Sequence, residues 1–527
     1  MNMRKQYIEV NKGKLKILQI ILVTCLTLLS YPLFAATYCA TPTGSGTKTG
    51  ADWSNAKDWS TITTFVRGDT YYLAGCTLST CGATYAAKRF ATPVSGETVI
   101  TIKKATAADH VTDTGWRASY GTDQTVFMEG INFLTPYWTF DGVVGSGGNP
   151  ASYGFKVKPP DCSTDVVHRL VGMPGVGYGS SVVNHITFKN VAVTNCGMIG
   201  AGTGGQVGIY SLSYNPISDM NISRNYFSNS TANIVIRGWS NSTIDNNYFD
   251  GNWSSSYNHG EQISPGGDTD VTLVSNIFNN SKVYVLGDHP TTGKPSYRWR
   301  IFNNVVIGGS MTAVFGNANS STPDGLFNWQ VHHNTIYGAS IGGYGVLFVG
   351  TLNNIPGYTS YAYNNLIFNL SNPNLAFENG GRSPGAVIAQ NNACFNCSGI
   401  VAKPNMIIGS GDPFVDSTNY NFNLVDGTAA VNSAVELSFP FNVDKNYKVR
   451  GKDVGWDIGA HGKLLTAQPT TTTTTTTAPT TTTTAPTTTT TSPTTTVTEP
   501  TTTTTSPTTT TTTVVPPGQT KKRVFNR

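Results

Sequence analysis

The chain has 527 residues, of which 12% are charged, and its formal net charge at pH 7 is +5. So small a charge on so long a chain gives no reason to expect a nucleic-acid partner. The abundance of Gly, Asn, Ser and Thr is instead typical of an exported protein that presents hydroxyl and amide groups to water.

The N-terminus has the three parts of a secretory signal peptide. Residues 1–16 are basic, residues 17–34 form an apolar run, and the small pair Ala35-Ala36 follows. We therefore expect a signal peptide over residues 1–35, cleaved near Ala35 or Ala36, and a secreted or cell-surface protein. The alternative is an uncleaved membrane anchor, because the apolar run is long enough to span a bilayer.

Residues 215–395 contain a short repeat. An apolar residue, two variable residues, Asn, one variable residue and a second apolar residue recur along this stretch. The repeat asparagines are separated by 22, 29, 28, 30, 31 and 27 residues, and they are Asn225, Asn247, Asn276, Asn304, Asn334, Asn365 and Asn392. Regular spacing of this size predicts stacked structural repeats rather than a globular mixture.

Each repeat has the pattern of short β-strands. Segments such as 221–223 and 270–273 alternate apolar and polar residues, and no amphipathic helical stretch lies between them. The sequence therefore predicts an all-β protein, a right-handed parallel β-helix over residues 36–466. We expect each repeat Asn to lie at a left-handed corner and to hydrogen-bond the Asn of the next rung. The alternative of scattered glycosylation sites is weaker, because most of these asparagines lack the required Ser or Thr.

Residues 137–143 and 185–191 have the pattern of earlier, more loosely spaced rungs. Gly-rich insertions at 145–149, 172–179 and 200–205 interrupt this part of the chain. Insertions in a solenoid project from the edge of a rung, so we expect them to form walls of a binding groove.

The end of the chain differs in composition from the rest. From Thr470 to Thr513 it is almost wholly Thr, interrupted by Pro, Ala and Ser. Too few apolar residues remain to offset the entropy of ordering, so residues 467–527 are predicted to form a disordered tail. Such a tail would serve as a spacer or as a contact with the cell surface.

Seven cysteines follow the predicted signal peptide. Cys76 with Cys81, and Cys394 with Cys397, could each close a short disulfide loop in an oxidising compartment. Because seven is odd, at least one cysteine is expected to be free or buried. The Cys394-x-x-Cys397 pair has no second pair of ligands nearby, so no zinc site is predicted.

Both ends of the predicted helix resemble a known class of proteins. Residues 51–56 and 67–75 resemble the opening of secreted right-handed β-helix proteins of the pectate-lyase-like superfamily, and residues 412–416 and 455–460 resemble their closing segment. The likeness covers residues 37–462. It implies the β-helix fold and a polysaccharide as partner, although a fold does not by itself define an activity.

The stretch His259-Gly260-Glu261-Gln262-Ile263-Ser264 resembles the Glu-x-Ile-Ser stretch of the chondroitinase B and alginate lyase family. In that family a Lys follows two residues after the Ser, and Arg-His-Gly lies in the next rung. Here Gly266 stands at the place of the Lys, and Gly287-Asp288-His289 falls near the place of Arg-His-Gly. The sequence therefore departs from the family at the base and at its cationic helper.

Two kinds of polysaccharide chemistry fit these residues. β-Elimination needs a base and a cation beside the uronate, which calcium can bridge, whereas hydrolysis needs two carboxyl groups. Counting back from the repeat asparagines predicts that Asp270, Arg298 and Arg300 face outward on one sheet, within one rung spacing. Trp299, between the two arginines, should point inward. An acid beside two guanidinium groups suits a uronate or sulfate, and the alternative is an exposed ion pair of little consequence.

The candidate site residues fall in the polar stretch between residues 253 and 300. The predicted catalytic residues are His259, Glu261, Asp270, Asp288, Arg298 and Arg300, and the predicted substrate-binding residues are Trp253, Tyr257, Tyr284 and Tyr297. Asp268, Asp270 and Asp288 are the candidates for a pair of acids. No residue is assigned to a metal, and calcium is the one cofactor considered.

Two functions are compatible with the sequence. The first is a lyase or hydrolase of an extracellular acidic polysaccharide, acting as a monomer. The second is a non-catalytic surface protein that binds glycan and uses the Thr-rich tail as a stalk.

Overall fold

The computed structural model describes residues 35–128, 130–163, 168–173, 183–197, 206–211, 217–252, 260–288, 296–317, 326–348, 359–370, 377–378, 387–397, 403–451 and 455–463. Within them the chain winds through three parallel sheets, and each complete rung adds one strand to each sheet. We number the sheets 1, 2 and 3 in the order in which a rung passes through them. The first corner joins sheet 1 to sheet 2, the second joins sheet 2 to sheet 3, and the third leads back to sheet 1.

The strands are numbered in chain order. In the described residues, sheet 1 consists of β1 (Thr37–Thr41), β2 (Lys57–Asp58), β3 (Thr70–Leu73), β5 (Ile100–Lys104), β8 (Trp138–Asp141), β11 (Ile186–Lys189), β15 (Asn221–Ser223), β19 (Thr243–Asp245), β22 (Thr272–Val274), β26 (Arg300–Phe302), β30 (Gln330–His332), β33 (Ser360–Tyr363) and β36 (Val387–Gln390). Sheet 2 consists of β6 (Thr125–Met128), β9 (Phe155–Lys158), β12 (Val191–Thr194), β16 (Tyr226–Ser228), β20 (Tyr248–Asp250), β23 (Ile277–Asn279), β27 (Val305–Ile307), β31 (Thr335–Tyr337), β34 (Leu366–Phe368), β37 (Ala393–Phe395) and β38 (Ile407–Gly409). Sheet 3 consists of β4 (Lys88–Phe90), β7 (Ile131–Phe133), β10 (Arg169–Gly172), β13 (Val207–Tyr210), β17 (Ala232–Val235), β21 (Glu261–Ser264), β24 (Tyr284–Asp288), β28 (Ser310–Asn317), β32 (Ser340–Phe348) and β35 (Phe377–Glu378).

Shorter elements complete the fold. Two-stranded ladders at the third corner pair β14 (Ile217–Ser218) with β18 (Trp239–Ser240) and β25 (Ser296–Tyr297) with β29 (Leu326–Phe327), and near the C-terminus β39 (Phe414–Asp416) and β40 (Asn421–Leu424) are antiparallel. The helices are α1 (Leu78–Cys81), α2 (Ala118–Thr122) and single 3₁₀ turns at Trp53–Asn55, Trp59–Thr61, Pro150–Ser152 and Ser417–Asn419.

Columns of apolar side chains fill the interior of the helix. Residues at the same position of successive strands lie on top of one another, so Phe227, Phe249 and Phe278 stack with ring centroids 5.0 and 4.7 Å apart. All three rings are fully buried. Parallel, in-register strands bring like side chains together in this way, which favours aromatic and β-branched residues. The prediction of an all-β parallel β-helix is confirmed.

The repeat asparagines form a continuous buried ladder along the first corner. In each step the side-chain oxygen of one Asn accepts hydrogen bonds from the backbone N–H and from the side-chain amide of the Asn in the preceding rung, at 2.9–3.1 Å. The side-chain amide of each repeat Asn also donates to a carbonyl oxygen of sheet 1 in the preceding rung, for example from Asn304 to Leu273 at 2.9 Å. The predicted ladder is therefore confirmed.

The left-handed corner residue is the one before each repeat Asn, not the Asn itself, so that part of the prediction is wrong. This corner column consists of Arg224, Asn246, Ser275, Asn303, His333, Asn364 and Asn391, all with φ between 52° and 59°. The repeat Asn is not among the residues with positive φ, and its N–H and side-chain amide both donate to the Asn of the next rung. The preceding residue then makes the turn.

A C-terminal segment packs along the same corner. This strap, defined as residues 434–451 and 455–460, contacts successive members of the corner column. Val435 exchanges two hydrogen bonds with the side chain of Asn364, at 2.8 and 2.9 Å. Further along, Arg450 donates to Asn303 Oδ1 at 2.9 Å. The strap is therefore held by the turn residues of the rungs, not by an additional sheet.

The structure contains the disulfides Cys76–Cys81 and Cys394–Cys397, which confirms both predicted loops. Cys162–Cys196 forms a third bond, and Cys39 is buried and free. The sequence did not single out the third pair, because 34 residues separate its members. One free cysteine agrees with the odd count.

Several predictions concern residues outside the described ranges. The signal peptide apart from Ala35, the Thr-rich tail and the insertion at 200–205 are among them, so the domain boundaries stay predictions. In the part of the chain that the structure describes, no helix is long and apolar enough to cross a membrane.

Candidate functional site

The connections at the third corner change in length from one rung to the next. After Val235 only residues 236–238 intervene before strand pairing resumes, and after Ser264 only residues 265–268 do. In the following rungs the connections are longer, residues 289–295 and 318–325. The two short connections carry Arg237 and Asp268, and Asp288 is the last residue of β24, just before the first long connection.

Asp268 and Asp288 lie close together at this corner, and both are fully buried. Ser296 links them, because its hydroxyl donates to Asp288 Oδ1 at 2.7 Å and accepts from the Asp268 N–H at 3.4 Å. The Asp268 carboxyl also accepts backbone hydrogen bonds at 2.6 Å from Trp239 and from Gly266. Among the described residues, Asp288 Oδ2 has no hydrogen-bond partner.

The surroundings favour the protonated form of both carboxyl groups. Burial raises the pKa of Asp268 to about 7, against the opposing effect of its backbone hydrogen bonds. Burial also raises the pKa of Asp288 well above its ordinary value, and the nearby charge of Asp268 raises it further. Two acids buried close together cannot both be ionised at low cost, so at least one of them is expected to keep its proton near neutral pH.

Arg237 supplies positive charge beside the two acids. Its guanidinium donates to the carbonyl oxygens of Ile236 at 2.6 Å and Ser264 at 2.5 Å, which fixes it across two rungs. Its charge lowers the pKa of both Asp268 and Asp288, although burial outweighs this effect. The residue as a whole is half-buried.

Glu261 and Tyr284 face each other on neighbouring strands of sheet 3 and are both buried. Gly287 allows the Glu261 side chain to lie across β24, because a Cβ atom at this position would come within 2.5 Å of Glu261 Cγ. Both residues therefore lie on the sheet that leads to Asp288, and neither is exposed on its surface.

Asp270, Arg298 and Arg300 lie on the other side of the third corner, where sheet 1 begins. Arg298 donates two hydrogen bonds to the Asp270 carboxylate, at 2.7 and 2.6 Å, and its side chain is 51% exposed. Arg300 follows on β26 in register with Thr272, and Trp299 is fully buried, as predicted. Asp270 and Arg298 have φ of 57° and 52°, so they are corner residues. The prediction that they face outward from a strand is wrong for these two and right for Arg300.

The structure brings together only part of the predicted site. Asp288 joins Asp268, which the sequence had named as a candidate acid, and Arg237, which it had missed. Tyr297 lies in β25 directly after Ser296 and is half-buried. The remaining predicted residues, His259, Trp253 and Tyr257, lie outside the described residues.

The described residues do not form a calcium site at this corner. Asp268 uses both carboxyl oxygens for backbone N–H groups, which leaves Asp288 Oδ2 as the open carboxylate oxygen of the pair. Calcium takes six to eight oxygen ligands. Among the residues that the structure describes, no group of three or more His, Cys, Asp or Glu side chains could hold a metal ion.

Neither a protein-family model nor a curated protein sequence matches the chain. A solved structure titled "Crystal structure of pectate lyase Pel9A" is similar at 14% sequence identity, over 82% of this chain and 97% of that chain, with a TM-score of 0.46. At this identity the likeness concerns the fold alone. The strand pairing of the chain itself shows that it folds as a parallel β-helix.

Proposed function

We propose that the protein binds an extracellular acidic polysaccharide at the third corner and hydrolyses it. The observation that carries this proposal is the pair Asp268 and Asp288, two carboxyl groups with raised pKa values beside the guanidinium of Arg237. Hydrolysis of a glycosidic bond uses two carboxyl groups, one to donate a proton and one that is ionised.

Each of the three side chains has a role in this proposal. Asp288, whose pKa is raised well above its ordinary value and whose Oδ2 has no hydrogen-bond partner among the described residues, donates the proton to the leaving oxygen. Asp268, whose pKa of about 7 leaves it partly ionised at neutral pH and whose oxygens accept from the N–H groups of Trp239 and Gly266, assists the water or the developing positive charge on the sugar. Arg237 binds the carboxylate or sulfate of a neighbouring sugar, because its fork suits such groups.

Hydrolysis is preferred over β-elimination because elimination requires a base that is free of its proton. Gly266 stands where the similar lyases have a Lys, and its N–H instead donates to Asp268. Both carboxyl oxygens of Asp268 accept backbone N–H groups, and the raised pKa of Asp288 favours its protonated form, so neither is a free base for a C5 proton.

The test is incubation of the purified protein with alginate, pectin and glycosaminoglycans. New reducing ends without unsaturated ends are expected from at least one of them. Asp288→Asn should lower the rate by about 100-fold or more, whereas Asp270→Asn, on the other side of the corner, should leave it unchanged. Unsaturated ends would show that the protein cleaves by elimination and not by hydrolysis. No new ends from any polymer would overturn the catalytic proposal.

One observation favours a second candidate, a non-catalytic glycan-binding protein of the cell surface. Neither Asp268 nor Asp288 is exposed, while Arg298 and Arg300 present positive charge on the outer face. In this case the protein, a secreted monomer with the Thr-rich tail as stalk, would retain an acidic polysaccharide without cutting it. Deletion of residues 467–527 should then release it from the cell surface while binding to the polymer persists.

A further inference from the structure

We propose that a cavity at the first corner, separate from the third-corner site, binds one acidic sugar unit. This strap cavity has a volume of about 360 Å³, and its lining includes Gly145–Gly147, Arg224, Asn246, Tyr248, Lys445 and Tyr447. Ligand sites commonly measure about 300–1,000 Å³, so the volume suits a small polar ligand. The choice of a sugar as the ligand rests on the proposed function, but none of the residues that line this cavity belongs to the third-corner site.

The part of the strap around Lys445 and Tyr447 forms one side of the cavity. The strap forms hydrogen bonds with corner residues of three successive rungs. Arg450 donates to the Asn303 side chain, and the Lys445 ammonium donates to the Ser275 carbonyl. The Asn246 side-chain amide donates to the Tyr447 hydroxyl. The next corner residue is Arg224, and no hydrogen bond from the strap reaches it in the described residues. Its side chain is therefore exposed at the floor of an open gap.

The gap carries positive charge that the described residues do not neutralise with an ion pair. Arg224 forms no salt bridge among the described residues. Its charge acts on the partly buried Asp245, where it opposes the rise in the pKa of that carboxyl group. The Asp245 carboxyl is hydrogen-bonded by Asn246 at 2.8 Å, and burial raises its pKa. Lys445 lies across the cavity and adds a second cation. An anionic group between Arg224 and Lys445 would satisfy both.

Two tyrosines give the cavity aromatic walls. Tyr248 lies on sheet 2 and stacks on Tyr226, with ring centroids 6.0 Å apart, and Tyr447 is 55% exposed on the strap. The Gly-rich insertion forms the third wall, as the sequence predicted for a groove. Gly148 is needed there, because a Cβ atom would come within 2.8 Å of the Tyr248 ring. Sugar rings pack against such faces while the guanidinium takes the carboxylate or sulfate.

Calorimetric titration with a trimeric oligouronate, a sulfated trisaccharide and a neutral trisaccharide tests this site. The starting protein is the Asp288→Asn variant, so that hydrolysis at the third corner cannot consume the ligand. Adding Arg224→Gln should weaken binding of an acidic trisaccharide by at least about 10-fold, and Tyr447→Ala should weaken it as well. Arg89→Gln is the control, because Arg89 is also an exposed arginine but lies on β4 outside the cavity, and this variant should bind as before.

Equal binding by the Arg224→Gln variant, or equal affinity for the neutral trisaccharide, would overturn the proposal. Thermal unfolding of every variant shows that the fold is retained, and Arg224→Lys, which keeps the charge, should recover part of the affinity. Failure of the third-corner proposal is seen separately, as wild-type protein that cleaves no polymer. Binding that depends on Arg224 would stand in that case.

Discussion

Asn276 and Asn304 lie in successive rungs and share two hydrogen bonds. Asn304 Oδ1 accepts from the backbone N–H of Asn276 and from its side-chain amide, both at 3.0 Å. The amide of Asn304 continues the series by donating to Asn334 Oδ1, also at 3.0 Å. Both Asn276 and Asn304 are fully buried, so the ladder satisfies groups that have no access to water.

Replacement of Asn304 by Ala should therefore destabilise the helix strongly. Two donors of Asn276 and the carbonyl of Leu273 would lose their partners inside the protein. We expect the free energy of unfolding, measured by urea denaturation, to fall by about 3 kcal/mol or more. The exposed corner residue Asn280 is the control, because Asn280→Gly keeps its left-handed backbone and should change stability by less than about 0.5 kcal/mol. Equal effects of the two changes would show that the ladder is not what stabilises the corner.

The ladder could be predicted because it depends on a local and periodic signal. The first corner is so short that each repeat Asn follows its sheet 1 strand by the same number of residues, as Asn225 follows Ile222 and Asn304 follows Ile301. Register is therefore preserved from one rung to the next. The same counting correctly predicted that Arg300 faces outward and that Trp299 lies in the core.

The third-corner site could not be assembled in this way. Arg237, Asp268 and Asp288 lie 10, 8 and 16 residues before the repeat Asn of their rungs, so counting does not align them. Variable connections at this corner cause the loss of register. The strap was also unpredictable, because contacts such as Asn364 with Val435 join residues 71 positions apart without any repeated motif.

The buried acids predict how stability depends on pH. A raised pKa means that folded Asp288 retains a proton that the unfolded chain releases above about pH 4. The folded state of the wild type should therefore become less stable as the pH rises from about 5 to 8, at up to roughly 1.4 kcal/mol per pH unit for each such proton. Asp288→Asn removes the contribution of Asp288 to this pH dependence, because the Asn amide has no titrating proton and still offers an oxygen to the Ser296 hydroxyl.

Urea denaturation of wild type and Asp288→Asn across this pH range measures the difference. The variant should lose less stability with rising pH and be at least as stable as the wild type at about pH 8. A residual slope up to about pH 7 is expected from Asp268, whose pKa is about 7. Parallel curves for the two proteins would mean that Asp288 is ionised in the folded state.

The exposed pair Asp270 and Arg298 should behave differently. The hydrogen bonds from Arg298 lower the pKa of Asp270, and the charge of Arg300 adds to this effect. Because the folded-state pKa is lowered, any stabilisation exists above the ordinary carboxyl pKa and is lost as the pH falls through the lowered value. Arg298→Gln should raise the pKa of Asp270, as measured by carbon NMR of its carboxyl group, yet change the free energy of unfolding by less than about 1 kcal/mol at neutral pH. A larger loss would indicate that the pair holds the corner together.

Arg450 should prove the most sensitive residue of the strap. Its guanidinium donates to Asn303 Oδ1 at 2.9 Å and to the carbonyl oxygens of Val443 at 3.0 Å and Gly459 at 2.8 Å. Burial lowers its pKa to about 10, so it remains charged at neutral pH. Arg450→Met would remove all three hydrogen bonds, although Val443 would keep the one from the Asn303 amide, and should cost about 3 kcal/mol or more. Lys448→Met, on the exposed side of the strap, should cost little.

The same Arg450→Met variant should also weaken the binding of an acidic trisaccharide at the strap cavity. Lys445 and Tyr447 reach the cavity through the strap, so loosening its attachment moves two of the lining residues away from Arg224. Calorimetric titration below the unfolding temperature measures this effect, with Lys448→Met as the control. A variant that is destabilised but binds with unchanged affinity would show that Arg224 and the fixed wall of sheet 2 suffice to hold the ligand.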